Sequence, residues 1–307
     1  MYYLYCGADD ASRKEFVSAG LSVFEEPGLR AFLQDVRAMP GYEQTSAVFT
    51  IVPLVEEFKN LFDIAENQPS FSDVSNINKI IEEKTEFKDV INPDPDLRIL
   101  ALTLSKLDVG WKNDFEKVGL RSFTKASGIQ QDIPFMEAEQ QVGKVRMGKY
   151  NGWSWELQDG YCLTVFPCNT PKEILEWCAK NPSATVWEPN GAEERTVVMP
   201  MFKIITNIDC RDTMERMGIL RLFNEFTANL FRVTPKFKKL FVNSVMSKTS
   251  TEFGLGGISA RQVVYGGFRA TCIKPKPKEL AFNSTWVAFL SKGGTVVMTT
   301  VFDGIDG

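Results

Sequence analysis

A few groups of residues in this chain are of types that could do chemistry. The six cysteines, Cys6, Cys162, Cys168, Cys178, Cys210 and Cys272, could ligate a metal or pair as disulfides. None stands in a C-x-x-C pair, which argues against a zinc ribbon or a thioredoxin-type motif. Six thiols spread over 307 residues suit buried free cysteines better than a disulfide scaffold. The run Gly254-Leu255-Gly256-Gly257 could cradle a phosphate, but no helix start follows it, so it reads as a flexible loop. Asn283-Ser284-Thr285 matches a glycosylation acceptor. The longest basic cluster, Lys236-Phe237-Lys238-Lys239, reads as a solvated turn. There is no histidine, which removes His-based triads and imidazole metal ligands together.

The remaining composition narrows the class. The chain is 44% hydrophobic, enough for one large domain or two ordinary ones. Its formal net charge is −4, with both signs mixed along the sequence. Proteins that bind nucleic acid or a membrane surface usually concentrate basic charge, so neither partner is expected. No apolar run is long enough to span a bilayer. The start, Met1 to Cys6, has no basic region and does not read as a signal peptide. The expected location is cytoplasmic if Met1 is the true start, and extracellular if an upstream signal is missing. Neither a cofactor nor a metal is expected.

Periodicity supplies the elements. Pro27 to Met39 reads as a helix, with Leu29, Phe32, Leu33 and Val36 on one face. Ala47 to Val52 reads as a strand. Helical spacing recurs at Leu54, Phe58, Leu61 and Phe62, and again at Ile77, Ile80 and Ile81. Asn92 to Asp96 has turn chemistry. The apolar run Ile99 to Leu104 reads as a strand covered on both faces. Lys144 to Phe166 reads as adjacent strands turning at Gln158-Asp159-Gly160. Thr170-Pro171-Lys172-Glu173 is a capping box with proline at the first helical position. Val197 to Ile205 reads as one strand and Asp212 to Leu220 as a short helix. Trp286 to Leu290 and Thr295 to Phe302 read as a hairpin turning on Gly293-Gly294. Strands and helices do not alternate regularly, so a mixed α+β fold with more than one sheet is expected.

Specific segments, in order, then resemble the serpin family. Leu4-Tyr5-Cys6-Gly7-Ala8 followed by Phe16 is similar to the segment where a serpin helix ends at "LGA". Thr103 through Gly110-Trp111 to Phe115 resembles the central strand of sheet A and its "G-x-W" end. Ile133-Pro134-Phe135-Met136 is similar to "VPMM", and Met199-Pro200-Met201-Phe202-Lys203-Ile204 to "LPKFKI". Asp212-Thr213, Met217-Gly218-Ile219, Leu222-Phe223 and Ala228-Asn229-Leu230 follow in family order. Phe282-Asn283 and Trp286 to Leu290 resemble the strand before the last hairpin.

The resemblance implies one serpin-like α+β domain over 1–307. Helices would pack on a large sheet A with smaller sheets B and C. The family's first helix, the first strand of sheet B and most of the next helix would be absent, leaving a packing deficit where a central strand is expected. It also implies a reactive loop over 254–281 and a polar shutter beneath sheet A. Thr103 stands where the family usually has Asn, and Met246 where it usually has His, so the buried polar contact should be missing or replaced. Trp111 matches a family tryptophan at the mouth of sheet A.

In serpins a protease cleaves the loop, which then inserts into sheet A as a new strand; small hinge residues let it pass. Gly256, Gly257, Ser259 and Ala260 suit this, whereas Arg261 and Gln262 stand where alanines are usual. If Gly257 points inward, period two puts Ser259 and Arg261 inward too. A buried unpaired guanidinium costs several kcal/mol, so insertion should stall at Arg261. Counting forward from the hinge gives Arg269-Ala270 as the scissile bond, suited to a trypsin-like serine protease. Counting back from Phe282 gives Lys274-Pro275, a poor bond because proline follows it. The implied function is a serine-protease inhibitor, intact or degenerate and not an enzyme, with no catalytic residues of its own. The alternative is a non-inhibitory carrier, chaperone or decoy of the same fold. The Asn283 sequon would lie before a core strand and is expected to stay unmodified.

Overall fold

The computed structural model describes residues 2–21, 29–181, 190–234, 240–258 and 277–305. Among them the helices are α1 (Tyr2–Gly7), α2 (Asp10–Ser18), α3 (Leu29–Arg37), α4 (Glu56–Lys59), α5 (Ser75–Thr85), α6 (Pro171–Lys180) and α7 (Arg211–Arg216). The strands are β1 (Tyr42–Thr50), β2 (Ile64–Asn67), β3 (Ile99–Leu107), β4 (Val109–Gly110), β5 (Glu116–Thr124), β6 (Gln130–Met147), β7 (Tyr150–Glu156), β8 (Tyr161–Pro167), β9 (Asn190–Pro200), β10 (Phe202–Asp209), β11 (Met246–Gly254), β12 (Gly257–Ile258), β13 (Glu279–Ala281), β14 (Trp286–Lys292) and β15 (Thr295–Phe302). The chain divides into two compact units. The first is Met1–Leu107 with Thr206–Thr249, and the second is Asp108–Ile205 with Ser250–Gly307.

In the first unit, Asp9 caps α2 by accepting a bond from the Ser12 N–H at 2.9 Å. The buried faces of α1 and α2, Tyr5, Ala8 and Phe16, pack with Phe58, Met214, Ile219, Leu222, Phe223, Leu230 and Val233. The Glu15 carboxylate accepts from the N–H groups of Leu220 and Arg221 at 2.8 and 2.9 Å, which ties α2 to the turn after α7. The strand order in the neighbouring sheet is β2-β1-β3, with β1 parallel to β2 and antiparallel to β3. α5 covers one face of it, joining Ile77 and Ile81 to Ala47, Phe49 and Leu104. The other face of β3 presents Ala101, Thr103 and Ser105 to solvent. Among the described residues the apolar run at 99–104 is therefore an edge strand, covered on one face, not two.

In the second unit the large sheet has the order β13-β9-β6-β7-β8-β14-β15, with β5 on β6. It runs unbroken from β13 to β15. The 18-residue β6 serves several partners: its first half pairs with β5, its last six residues with β7, and Phe135 to Lys144 with β9. α6 starts at Pro171 as expected and lays Ile174 over Val145, Met147, Phe166, Val287 and Phe289. The capping box is not formed. Thr170 makes no side-chain cap bond, and Glu173 is drawn to Lys149 (2.9 Å) and Tyr150 (3.2 Å) instead. The expected strand 197–205 is broken in two, because Pro200 has no N–H and the Met201 N–H bonds to the Pro134 carbonyl at 2.8 Å. The turn at 158–160 and the Gly293-Gly294 hairpin are as expected. Asp159, Gly160, Gly293 and Gly294 all take positive φ.

Candidate functional site

The site is the point where the glycine-rich loop leaves the sheet. β11 ends at Phe253-Gly254, Leu255-Gly256 turns the chain, and β12 returns antiparallel, with Phe253 opposite Ile258 and Gly254 opposite Gly257. On its other side β12 pairs antiparallel with β4, Gly257 opposite Gly110 and Ile258 opposite Val109. The second unit thus contributes residues 202–205, 250–254, 257–258 and 109–110 to the order β10-β11-β12-β4. The first two residues of the loop's return are already a strand between two others.

Two glycines make this close approach possible. Gly257 has φ +143°, and a Cβ there would stand 2.3 Å from the Val109 carbonyl oxygen and 2.9 Å from Gly110 Cα. Both are backbone atoms of the neighbouring strand, so only glycine fits. A Cβ on Gly110 would meet the Gln158 amide group, 2.4 Å from its Oε1.

A tryptophan locks the arrangement. Trp111, 1% exposed, donates its indole N–H to the Gly254 carbonyl at 2.7 Å. Its own carbonyl accepts from the Gln158 amide at 2.9 Å. Its ring lies 4.7 Å from that of Phe115 and 6.2 Å from that of Phe253. Phe253 in turn stacks on Phe202 at 4.8 Å and meets Trp286 at 5.8 Å. The chain beyond Trp111 is pinned to β6 by Asn113, which donates to the Glu139 carbonyl (2.8 Å), and by buried Gln140, which donates to the Asn113 carbonyl (2.9 Å). Around the rim, Lys112–Glu156 (2.5 Å) and Lys203–Glu252 (3.3 Å) are half-exposed ion pairs. Such pairs contribute about 0–1 kcal/mol each.

Facing directions follow from the pairing. Directly opposed residues share a face, so Phe253, Ile258 and Val109 lie in one row, and all three are buried. Ile258, not Gly257, is the residue directed at the core. Gly257 aims instead at the β4 backbone, so the assumption that it sets the inward alternation does not hold.

The other expected residues are distributed as follows. Gly256 is in the turn. Thr103 sits on β3 opposite Ser46 and is exposed, and Met246, the first residue of β11, is 57% exposed. Neither is part of a buried polar contact, because each lies on an outward face. Ser259, Ala260, Arg261, Arg269, Ala270 and Lys274, with Cys272, lie outside the described residues. The sequence names Gln158 only as a turn residue and Gly110 only within the G-x-W motif, and assigns neither to this site. In the sequon, Asn283 is exposed, whereas Thr285 is buried and donates to Asp303 at 2.5 Å. Among the described residues no group of three or more cysteine or acidic side chains is placed to hold a metal ion. No helix among them is long and apolar enough to cross a membrane. The arrangement supplies backbone hydrogen bonds and an apolar floor, the means of holding a strand.

The family model for serpins, serine protease inhibitors, matches residues 49–301. The chain belongs to the serpin family. Mouse neuroserpin is 25% identical over 297 residues, covering 83% of this chain and 70% of that protein. Among solved structures, cleaved Serpin 42Da superposes with a TM-score of 0.79 at 14% identity, over 100% of this chain and 89% of its own. Serpin48 of the insect Tenebrio molitor, described as a highly specific serpin, gives 0.74 at 14% identity, over 99% and 88%. The serpin fold is that of protease inhibitors generally.

Proposed function

We propose that this serpin inhibits a trypsin-like serine protease, as one domain over 1–307 with its reactive loop in 254–281. The protease attacks the Arg269-Ala270 bond and forms an acyl-enzyme, and the loop then extends β12 along β11. The observation that carries this reading is β12 itself, a strand already seated between β11 and β4 at the loop's root. Trp111 and Gln158 hold that mouth in register.

Extending the same register from Ile258 opposite Phe253 would set Ala260 opposite Thr251 and Arg261 opposite Ser250. Ala260 then shares the core face with Ile258, and Arg261 takes the outer face beside Glu252, within reach of a diagonal ion pair. On this reading Arg261 does not stall insertion. The test is incubation with trypsin-like proteases followed by a denaturing gel. An SDS-stable complex is expected for the wild type and for Arg261→Ala, and none for Arg269→Ala. Ala260→Arg, which buries an unpaired guanidinium, is expected to be cleaved without forming a complex. Clean cleavage of the wild type with no complex would refute inhibition.

A second reading is a non-inhibitory binding or carrier protein. It is favoured by Gln262, which the same register places on the core face next after Ala260, where an unpartnered amide costs about 1–3 kcal/mol. A melting temperature unchanged by loop cleavage would favour it, since an inserted strand would raise that temperature.

A further inference from the structure

We infer that Asn283 is an acceptor for an N-linked glycan, and that folding closes the site once β14 is in place. Asn283-Ser284-Thr285 lies in the connection from β13 to β14, and the other match to the pattern, Asn181-Pro182-Ser183, is spoiled by its proline. A sequon carries weight when its asparagine stands on a surface connection, because a glycan is bulky and must lie in solvent. That context is present here. Phe282 and Thr285 are 1% exposed and Trp286 is fully buried, yet Asn283 between them is exposed. Among the described residues none bonds its side-chain amide. The core strand that follows the sequon spoke for an unmodified site, but burial falls on the neighbours of the acceptor and leaves the acceptor itself outside.

The fold takes up the rest of the motif. A transferase that reads N-x-S/T must reach the hydroxyl of the third residue. In the folded chain Thr285 is buried and donates that hydroxyl to the Asp303 carboxylate at 2.5 Å. The sequon backbone is held as well. The Thr124 N–H donates to the Asn283 carbonyl at 2.9 Å, and the Thr285 N–H donates to the Thr124 carbonyl at 3.2 Å. These partners lie on β5 and just beyond β15, so the bonds form only when the sheet does. Before that the whole motif is open. A glycan attached then is carried by an exposed side chain and need not disturb any of the three bonds.

The donor is a lipid-linked oligosaccharide diphosphate. The Asn283 amide nitrogen bonds to the anomeric carbon of the sugar, and the bond from that carbon to the diphosphate oxygen breaks. The lipid diphosphate leaves with the electron pair, and the amide nitrogen gives one proton to a base of the transferase.

The test is cell-free synthesis of the whole chain, behind a cleavable signal sequence, into microsomes that hold the transferase and its donor. The wild type is expected to give a slower band that a peptide N-glycosidase collapses. Asn283→Gln and Thr285→Ala are each expected to lose that band, a readout that does not require either variant to fold. In parallel, unmodified chain folded beforehand is given to purified transferase and donor, beside a short peptide spanning the sequon. The peptide is expected to be modified and the folded chain not. No shift in microsomes, or a shift that survives Asn283→Gln, would overturn the acceptor. Modification of the folded chain at the rate of the peptide would overturn the closure. None of these readouts involves protease inhibition, so they stand apart from that reading.

Discussion

Replacing Gly257 with alanine tests whether β12 is a seated strand. The new Cβ would lie 2.3 Å from the Val109 carbonyl oxygen and 2.9 Å from Gly110 Cα, and the residue would keep φ +143°. That backbone conformation costs an L-residue about 1–3 kcal/mol, before the overlap is counted. The overlap is with backbone, so no side-chain rotation relieves it; β4 or β12 must move. Holding β12 in place are the few ladder bonds of a two-residue strand, together about 2–3 kcal/mol, and the burial of Ile258, about 2 kcal/mol. A domain's stability of about 5–15 kcal/mol exceeds all of these, so the cheapest response is local: β12 parts from β4 while the fold survives. The expected outcome is a stability loss of about 2–4 kcal/mol by urea titration. The Gly257 and Ile258 amides lose exchange protection, and the emission of Trp111, bonded to Gly254, shifts to the red. A Gly257→Ala variant with wild-type amide protection at these positions would refute the reasoning.

Three other outcomes are expected. A Cβ at Gly110 meets the flexible Gln158 side chain first, so Gly110→Ala should fold and displace it; it and Gln158→Ala should each cost about 1 kcal/mol, and the double variant no more than either alone, as read by a double-mutant cycle in urea. Phe253→Ala should cost about 3–5 kcal/mol in the same assay, because it empties the centre of the aromatic stack. Burial acts to raise the Asp63 pKa, but the Ser46 N–H and hydroxyl, with Arg37, outweigh it and hold the carboxyl below its ordinary value. Its contribution is therefore full above the unfolded value of about 4 and is lost as pH falls through the lower folded value. The stability gap between wild type and Asp63→Asn should close on acidification through that range.

What was legible in the sequence was what local chemistry alone decides. Gly293-Gly294 between apolar runs can hardly be other than a hairpin turn, and Pro171 marks a helix start wherever it is placed. The ordered motifs around Trp111, Pro200 and Trp286 were sufficient to indicate the family. Long-range competition was not legible. Thr170 and Glu173 form a capping-box pattern, yet Lys149, more than twenty residues earlier, takes the glutamate. An apolar run such as 99–104 does not say how many of its faces are covered. Thr103 and Met246 could be placed on strands, but their solvent-facing orientation depends on the strands beside them. Gln158 was visible only as a turn residue, because its partner, the Trp111 carbonyl, lies 47 residues away.

The facing direction at the hinge shows how one such long-range fact changes a functional argument. Alternation along a strand is certain, but its phase is not, and sequence offered Gly257 as the natural place to start counting. The phase is fixed instead by the first side chain large enough to need burial, and that is Ile258, seated between Phe253 and Val109. Moving the count by one residue exchanges the faces of everything after it. On the proposed insertion Arg261 would pass from the core, where an unpaired guanidinium costs several kcal/mol, to the outer face, which it would share with Glu252. Gln262 would pass the other way at a smaller cost, since a neutral amide loses about 1–3 kcal/mol when unpartnered. The net change would favour the proposed insertion. The proposed insertion would also start from the seated β12, so each further pair of residues would add ladder bonds without a new closure cost.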